Sequence, residues 1–397
     1  MKPYYEDVYV VDFNTDIVSI EQIEGIYHIL LKETYFYPGG GGQIYDIGYI
    51  DDIEVYEVYE KDNKIYHKSI SKPKQTKDVK CMINKERRLD GMHQHLAQHI
   101  ISGCFYKKFN QNTFGFHMGK EFSTIDIYDD VCDDKKNQIE IMVNDIIFKD
   151  LEVKMYTPSK KQLDSIDLRR DLPNTDNDIR IVEIEDLDIN ACCGVHPKST
   201  LEVRLIKLTK LEKIKKGFRI SYLAGQRAIN YSLERDKYLN EICKLLKSTD
   251  SEAINYINII KDKLDNSHKV VNELESQLAL KEFKNLKENA LVIDNISIII
   301  NKFENQDIKY INKIASCINL DNDTIGLFAI DNDITSYIYC CSKELKHIDM
   351  NKLLKQTLSS VGGRGGGNYF LAQGSSNKHS NIDNVFKDVI DTIKTIM

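Results

Sequence analysis

Apolar positions over residues 1–80 fall into short runs, VYVVDF, GIYHILL, IGYIDDIEVYEVY and KIYHKSI, divided by Gly or Asp/Asn breaks. Val, Ile and Tyr suit a pleated surface, so the segment predicts strands that form a small β-barrel or sandwich, with the barrel preferred. At Asn84 the period changes. Leu89, Met92, Leu96, Ile100 and Phe105 recur near helical spacing, which predicts a helix through Phe109. Strand-like stretches return at FSTIDIY, LEVKMY and DIRIVEIE, with a helix expected around Asn137–Lys149 between the first two. TLEVRLIKLTKLEKIKKGFRISYLAG reads as a long antiparallel pair turning at Lys216-Gly217.

Residues 229–290 lack Gly and Pro and are helical in period. Thr249-Asp250-Ser251-Glu252 fits a capping box that starts a second helix. Ile257, Ile260, Leu264, Val271, Leu274 and Leu278 then form a heptad-like stripe, interrupted by Ser267, as expected of an arm that packs on itself or on a partner chain. Further on, ISIIINKF, IGLFAI and SYIYCC alternate with helical stretches, the pattern of an α/β unit. The chain is therefore expected to be α+β, with parts at 1–83, 84–228, 229–291 and 292–397.

Composition narrows the class. Over 397 residues, 42% are hydrophobic and 29% charged, as in an ordinary globular protein. No stretch approaches the roughly 20 apolar residues of a bilayer span. The start, MKPYYEDVYV, lacks the basic and apolar regions of a secretory signal, so a cytoplasmic location is expected. Nine irregularly spaced cysteines, with adjacent pairs at Cys192–Cys193 and Cys340–Cys341, suit free thiols rather than a disulfide framework. The net charge of −7 opposes phosphate binding, yet residues 204–219 hold seven basic side chains against the single acid Glu212. Such a run is a solvated hairpin face or a nucleic-acid contact.

Two half-sites carry the chemistry. His95 and His99, at i and i+4, share one face of the predicted helix and can share one ion. Cys192 and His196 repeat that spacing in Cys192-Cys193-Gly194-Val195-His196-Pro197, a turn whose glycine lets backbone approach closely. Three imidazoles and a thiolate make a set suited to tetrahedral Zn²⁺. His93 lies about 200° around the helix from His95 and is expected to point elsewhere; Cys193 is the competing thiol. Leu96 stands where an H-E-x-x-H protease needs its Glu, and the H-x-E and P-C-x-x-C of a nucleobase deaminase are missing. A third element is Pro38 followed by Gly39–Gly42 and Gln43, a turn with bare amides. It does not match a nucleotide P-loop.

Residues 33–48, M-H-Q-H-L-A-Q-H-I-I-S at 92–102, F-H-M-G-K-E-F-S-T-I-D at 116–126 and C-C-G-V-H-P at 192–197 stand in an order that resembles the alanyl-tRNA editing proteins of the AlaX group. Gly362-Gly363-Arg364-Gly365-Gly366-Gly367 resembles the glycine motif of the DHHA1 domain that ends the long AlaX form, so the likeness spans essentially the whole chain. It implies a glycine-loop β domain, a zinc-binding editing domain, a helical arm and a DHHA1-like domain. It implies a Zn²⁺-dependent hydrolase of tRNA(Ala) mischarged with serine or glycine, with zinc on His95, His99, Cys192 and His196. Gln43 and the amides of Gly40, Gly41 and Gly42 would bind the seryl group or terminal adenosine, with Gln43 and Thr124 as catalytic-pocket residues. Arg364, Gly365, Gly366 and Gly367 would contact tRNA, and a homodimer would form through the arm or the last domain. The chain departs from the family at Gly39, Leu96, Cys193 and Val195, where an acid, Thr, Gly and Thr are common. The rival expectation is a non-catalytic tRNA-binding homologue with a structural zinc.

Overall fold

The computed structural model describes residues 2–172, 178–377 and 381–396, and the chain folds as two compact units, residues 1–242 and 243–397. In the first, Asp12–Thr15, Val79–Ile83, Gly48–Ile50 and Ile53–Val55 form one four-stranded sheet in that order. Ile17–Ile23, Ile26–Leu31, Lys64–Ser69 and Glu57–Lys61 form another. Ile29, Phe36, Ile50, Val55, Val58 and Val79 share one core. The expected closed barrel is corrected: each sheet keeps two unpaired edges among the described residues. Residues 32–47, which could have supplied a bridging strand, are irregular. Gly39, Gly40, Gly41 and Gly42 all have positive φ, at 83°, 140°, 59° and 85°, which no strand accommodates.

That irregular loop is clamped to the following helix, Lys85–Phe109. Arg88 is buried there, ion-paired to Asp46, and donates to the carbonyls of Val8 and Tyr35. Asp46 in turn accepts from the Tyr37 amide at 2.7 Å. One buried arginine therefore ties both ends of the loop to the helix. Removing either member of such a pair costs about 3–5 kcal/mol. The Asn84 side chain caps the helix by accepting from Arg87 N, and Asn110 ends it in the left-handed region.

Leu96, Ala97, Ile100, Ile101, Cys104 and Phe105 bury the inner face of this helix. They pack within a core shared with the sheet Ile206–Ile214, Gly217–Ala224, Ser123–Tyr128, Thr113–Met118 and with the helix Asp133–Phe148. The predicted antiparallel pair is present, with Lys215 and Lys216 at its turn. Three of its seven basic side chains are neutralised, because Lys207 pairs with Glu140, Lys210 with Glu212 and Arg219 with Asp126. A three-stranded antiparallel sheet, Val153–Tyr156, Ile181–Ile184 and Asp188–Ala191, leads directly into Cys192.

The second unit has a six-stranded mixed sheet, in which Ile296–Glu304 and Thr324–Asp331 pair in parallel and the other neighbours antiparallel. Alternate side chains face opposite cores: Leu327, Ala329, Tyr337 and Tyr339 on one side, Phe328, Ile330, Ile338 and Cys340 on the other. Burial on both faces explains why these strands read as unbroken apolar runs. Helices Met350–Ser360 and Ile382–Ile396 cover the first face, and Ile308–Asn319 the second. The helix Ala253–Glu288 anchors its C-terminal end on that second face through Ala279 and Phe283. Its predicted stripe, Ile257 to Leu278, is exposed within this unit. Among the described residues no helix is long and apolar enough to cross a membrane.

Candidate metal centre and cavity

Four side chains predicted to share an ion come together. The ligand atoms of His95, His99, Cys192 and His196 all lie within 4.8 Å of one another and could hold a metal. Cys192 Sγ is 3.4 Å from His95 Nε2 and 3.3 Å from His196 Nε2. The helix supplies His95 and His99 one turn apart, their rings 5.5 Å between centroids. The turn after Ala191 supplies the other two. A Cβ on Gly194 would stand 2.2 Å from His95 Nδ1, so only glycine lets this turn reach the helix. His93 lies against Gly225, away from the cluster. Cys193 is exposed, with its sulfur toward Gly41 and its carbonyl accepting from Tyr5 and Tyr37.

Two of the three imidazoles, His99 and His95, are oriented from behind. His99 Nδ1 donates to Asp188 at 2.8 Å, which leaves its buried Nε2 without a hydrogen-bond partner. An unpartnered nitrogen facing a thiol and two imidazoles is what a metal ligand looks like before the ion is counted, and the N₃S donor set fits zinc. Asp188 also accepts from Arg169 Nε at 2.5 Å and Asn190 Nδ2 at 2.6 Å. Gln43 Oε1 accepts from His95 Nδ1 at 3.0 Å and from the Val195 amide at 2.9 Å, fixing the tautomer that turns Nε2 toward Cys192.

The charges agree with a thiolate among imidazoles. Burial alone would raise the Cys192 thiol, but His95, His196 and His99 outweigh it and hold it well below the usual range. Burial opposes protonation of His99, yet Cys192 and Asp188 raise it to about 9. Burial pushes His196 down to about 3. Metal ligands of these types must be deprotonated to bind, so an ion here competes with the proton that Cys192 and His99 otherwise share.

A cavity of about 1080 Å³ opens beside the cluster, and His95, His99 and Cys192 form part of its wall. Phe116 stacks on His95 at 5.3 Å, and Gly41, Tyr5, Asn190 and Arg180 complete the part nearest the cluster. Of the other predicted site residues, Gly41 lines this cavity, while Gln43 is buried behind His95. Gly40 is paired with Gln43 through backbone hydrogen bonds, and Gly42 packs under Phe116. Thr124 pairs with Ser221 and His117 in mid-strand and does not line the cavity. Leu96 and Val195, the apolar departures from the family pattern, are fully buried. In the other unit, Arg364–Gly367 is an exposed strand paired with Leu371–Asn377 rather than a flexible link.

Asp188, Asn190 and Arg180 were not singled out in the sequence. One signal was available: Asp188, Asn190 and Cys192 follow the period of two that puts strand residues on one face.

Residues 179–220 match the model of the threonyl and alanyl tRNA synthetase second additional domain, and residues 295–395 that of the DHHA1 domain. The alanyl-tRNA editing protein AlaX-L of Pyrococcus horikoshii is 30% identical over 391 residues, covering 94% of this chain and 93% of that protein. Alanine–tRNA ligases of Clostridioides difficile and Methanobrevibacter smithii are 24% and 26% identical over 92% and 98% of the chain. The chain spans only 44% and 45% of those ligases. The solved C-Ala domain of Aquifex aeolicus alanyl-tRNA synthetase, 17% identical, covers 27% of this chain and is itself covered to 96%, at a TM-score of 0.24.

Proposed function

The chain belongs to the alanyl-tRNA editing proteins of the long AlaX type, and on that premise we propose that it is a zinc-dependent hydrolase clearing serine, and also glycine, from mischarged tRNA(Ala). The observation that supports this most is the convergence of His95, His99, Cys192 and His196 at the wall of a large cavity. A purely structural site needs no such opening.

Four protein ligands fill a tetrahedral shell. With one ligand displaced or a fifth position taken, zinc held by these residues would polarise the ester carbonyl or lower the pKa of the attacking water; otherwise it would position the substrate. The protein's own contribution is placement. Gln43 and Asp188 orient His95 and His99, so that the ligand geometry is set before substrate arrives. Gln43 acts through His95, and Gly41 offers bare backbone to the aminoacyl end. Phe116 walls the side next to His95 and excludes water there. Because Leu96 and Val195 are turned into the core, they do not read the seryl hydroxyl. Selectivity against correct Ala-tRNA(Ala) rests on polar groups of the cavity that alanine leaves unpaired.

In this reading Arg364–Gly367 offers a side-chain-poor surface to tRNA, and the exposed stripe of Ala253–Glu288 is the surface for self-association. The test is deacylation of Ser-, Gly- and Ala-tRNA(Ala) by the purified protein. Fast release of serine with Ala-tRNA(Ala) left intact is expected. Equal rates on all three, or none, would refute the proposal.

A further inference from the structure

The cavity wall holds a guanidinium that makes no ion pair among the described residues. Arg180 lies just before the strand Ile181–Ile184. Its Nη1 donates to the carbonyls of Gly194 at 2.7 Å and Cys192 at 3.3 Å, and its guanidinium stacks over Tyr5, 4.4 Å from the ring centroid. Its Nη2 is buried and has no hydrogen-bond partner. Among the described residues no carboxylate pairs with it, whereas Arg169 and Lys2, on the same wall, are held by Asp188 and Glu60. Burial lowers the Arg180 pKa, but a guanidinium keeps its proton at neutral pH. A fixed charge with a desolvated, unused donor costs free energy that an incoming anion recovers.

The substrate class restricts that anion. On an aminoacylated RNA end the α-amino group is cationic, the ester and nucleoside are neutral, and only the phosphodiesters are negative. Tyr5 and Arg180 are partly exposed, while the three imidazoles are buried. An ester placed at the metal cluster leaves its phosphates toward the less buried wall of the cavity, which Arg180 shares with the exposed Arg170.

We infer that Arg180 Nη2 holds a phosphodiester oxygen of the terminal nucleotides, a positioning contact that rests on the deacylation function proposed above. Arg180→Gln and Arg180→Lys should be compared with the unaltered protein on Ser-tRNA(Ala) and on 3′-O-seryladenosine, which lacks any phosphate, with zinc content measured in each. In Arg180→Gln the kcat/KM on the tRNA should fall roughly ten- to hundredfold more than on the nucleoside ester, mainly through KM. Arg180→Lys should recover part of that difference, because a charge alone still attracts phosphate. Equal falls on both substrates would place the contact at the ester or the metal turn and overturn the inference, as would loss of zinc in both variants or no change on either substrate. If the unaltered protein cleaves neither substrate, the deacylation reading fails by itself. Binding of a short RNA ending in CCA then decides Arg180: weaker binding by Arg180→Gln supports the contact, and equal binding overturns it.

Discussion

Replacing Asp188 by Asn separates the two roles of its carboxylate. The side chain is buried and accepts from His99 Nδ1, Arg169 Nε and Asn190 Nδ2. Asparagine keeps the shape but removes the charge, and its amide can turn a donor toward donors. Arg169, with only 4% of its side chain exposed, is then left without a carboxylate. Breaking a buried pair in this way costs about 3–5 kcal/mol. His99 loses the acceptor that fixes its tautomer, and removing such a partner typically weakens metal binding about 10- to 100-fold. Zinc affinity is read by competition with a chromophoric chelator, and stability by urea titration of the zinc-free protein. The double variant Asp188→Asn/Arg169→Met should regain most of the stability, because no charge stays buried and unpaired, yet none of the zinc affinity. Affinity within about twofold of the unaltered protein in Asp188→Asn would refute the claim that this carboxylate sets the ligand.

Cys192→Ala should abolish stoichiometric zinc, while Cys193→Ala should keep it, since only the first sulfur faces the imidazoles; metal analysis of the two proteins reversing that order would reassign the ligand. Gln43→Ala should weaken zinc binding by roughly tenfold and slow release of serine and glycine by similar factors, because Gln43 touches His95 and not the cavity. A selective loss on serine alone would contradict this. His67, fully buried with Nδ1 on the Ile29 carbonyl and Nε2 on the Thr34 hydroxyl, is pushed down to about 4 by burial. Its folded pKa lies below the unfolded value, so its contribution is intact above about pH 6.5 and is lost as pH falls through about 4, amounting to roughly 3 kcal/mol. Protection factors in the strand Lys64–Ser69, with the intrinsic pH dependence of exchange divided out, should fall over that window, and His67→Gln should flatten the dependence; an equal dependence in both proteins would remove His67 as its source.

The His/Cys cluster was legible because helix and turn spacings alone put His95 beside His99 and Cys192 beside His196. The alternation of Leu327 to Ile330 between two cores was equally plain as an apolar run. What spacing could not show is how distant segments meet. The barrel reading failed at Gly39–Gly42, where four positive φ values break the chain that might have closed it. Gln43 reads as a pocket residue beside bare amides, yet the Arg88–Asp46 clamp holds its loop so that it faces His95. Arg180 stands in an ordinary strand-like run, and its unfilled donor exists only once Gly194 and Tyr5 are packed around it. The glycine-rich tail gave no strand signal because glycine has no strand preference; pairing with Leu371–Asn377 makes it a sheet edge.

The most direct test of the account is the rate of serine release from Ser-tRNA(Ala) before zinc removal, after dialysis against a chelator, and after zinc is returned. Activity should vanish with the metal and return in proportion to zinc bound, up to one per chain, and the Cys192→Ala protein should not respond to added zinc. Undiminished serine release from fully zinc-free protein would contradict the zinc-dependent mechanism at its centre.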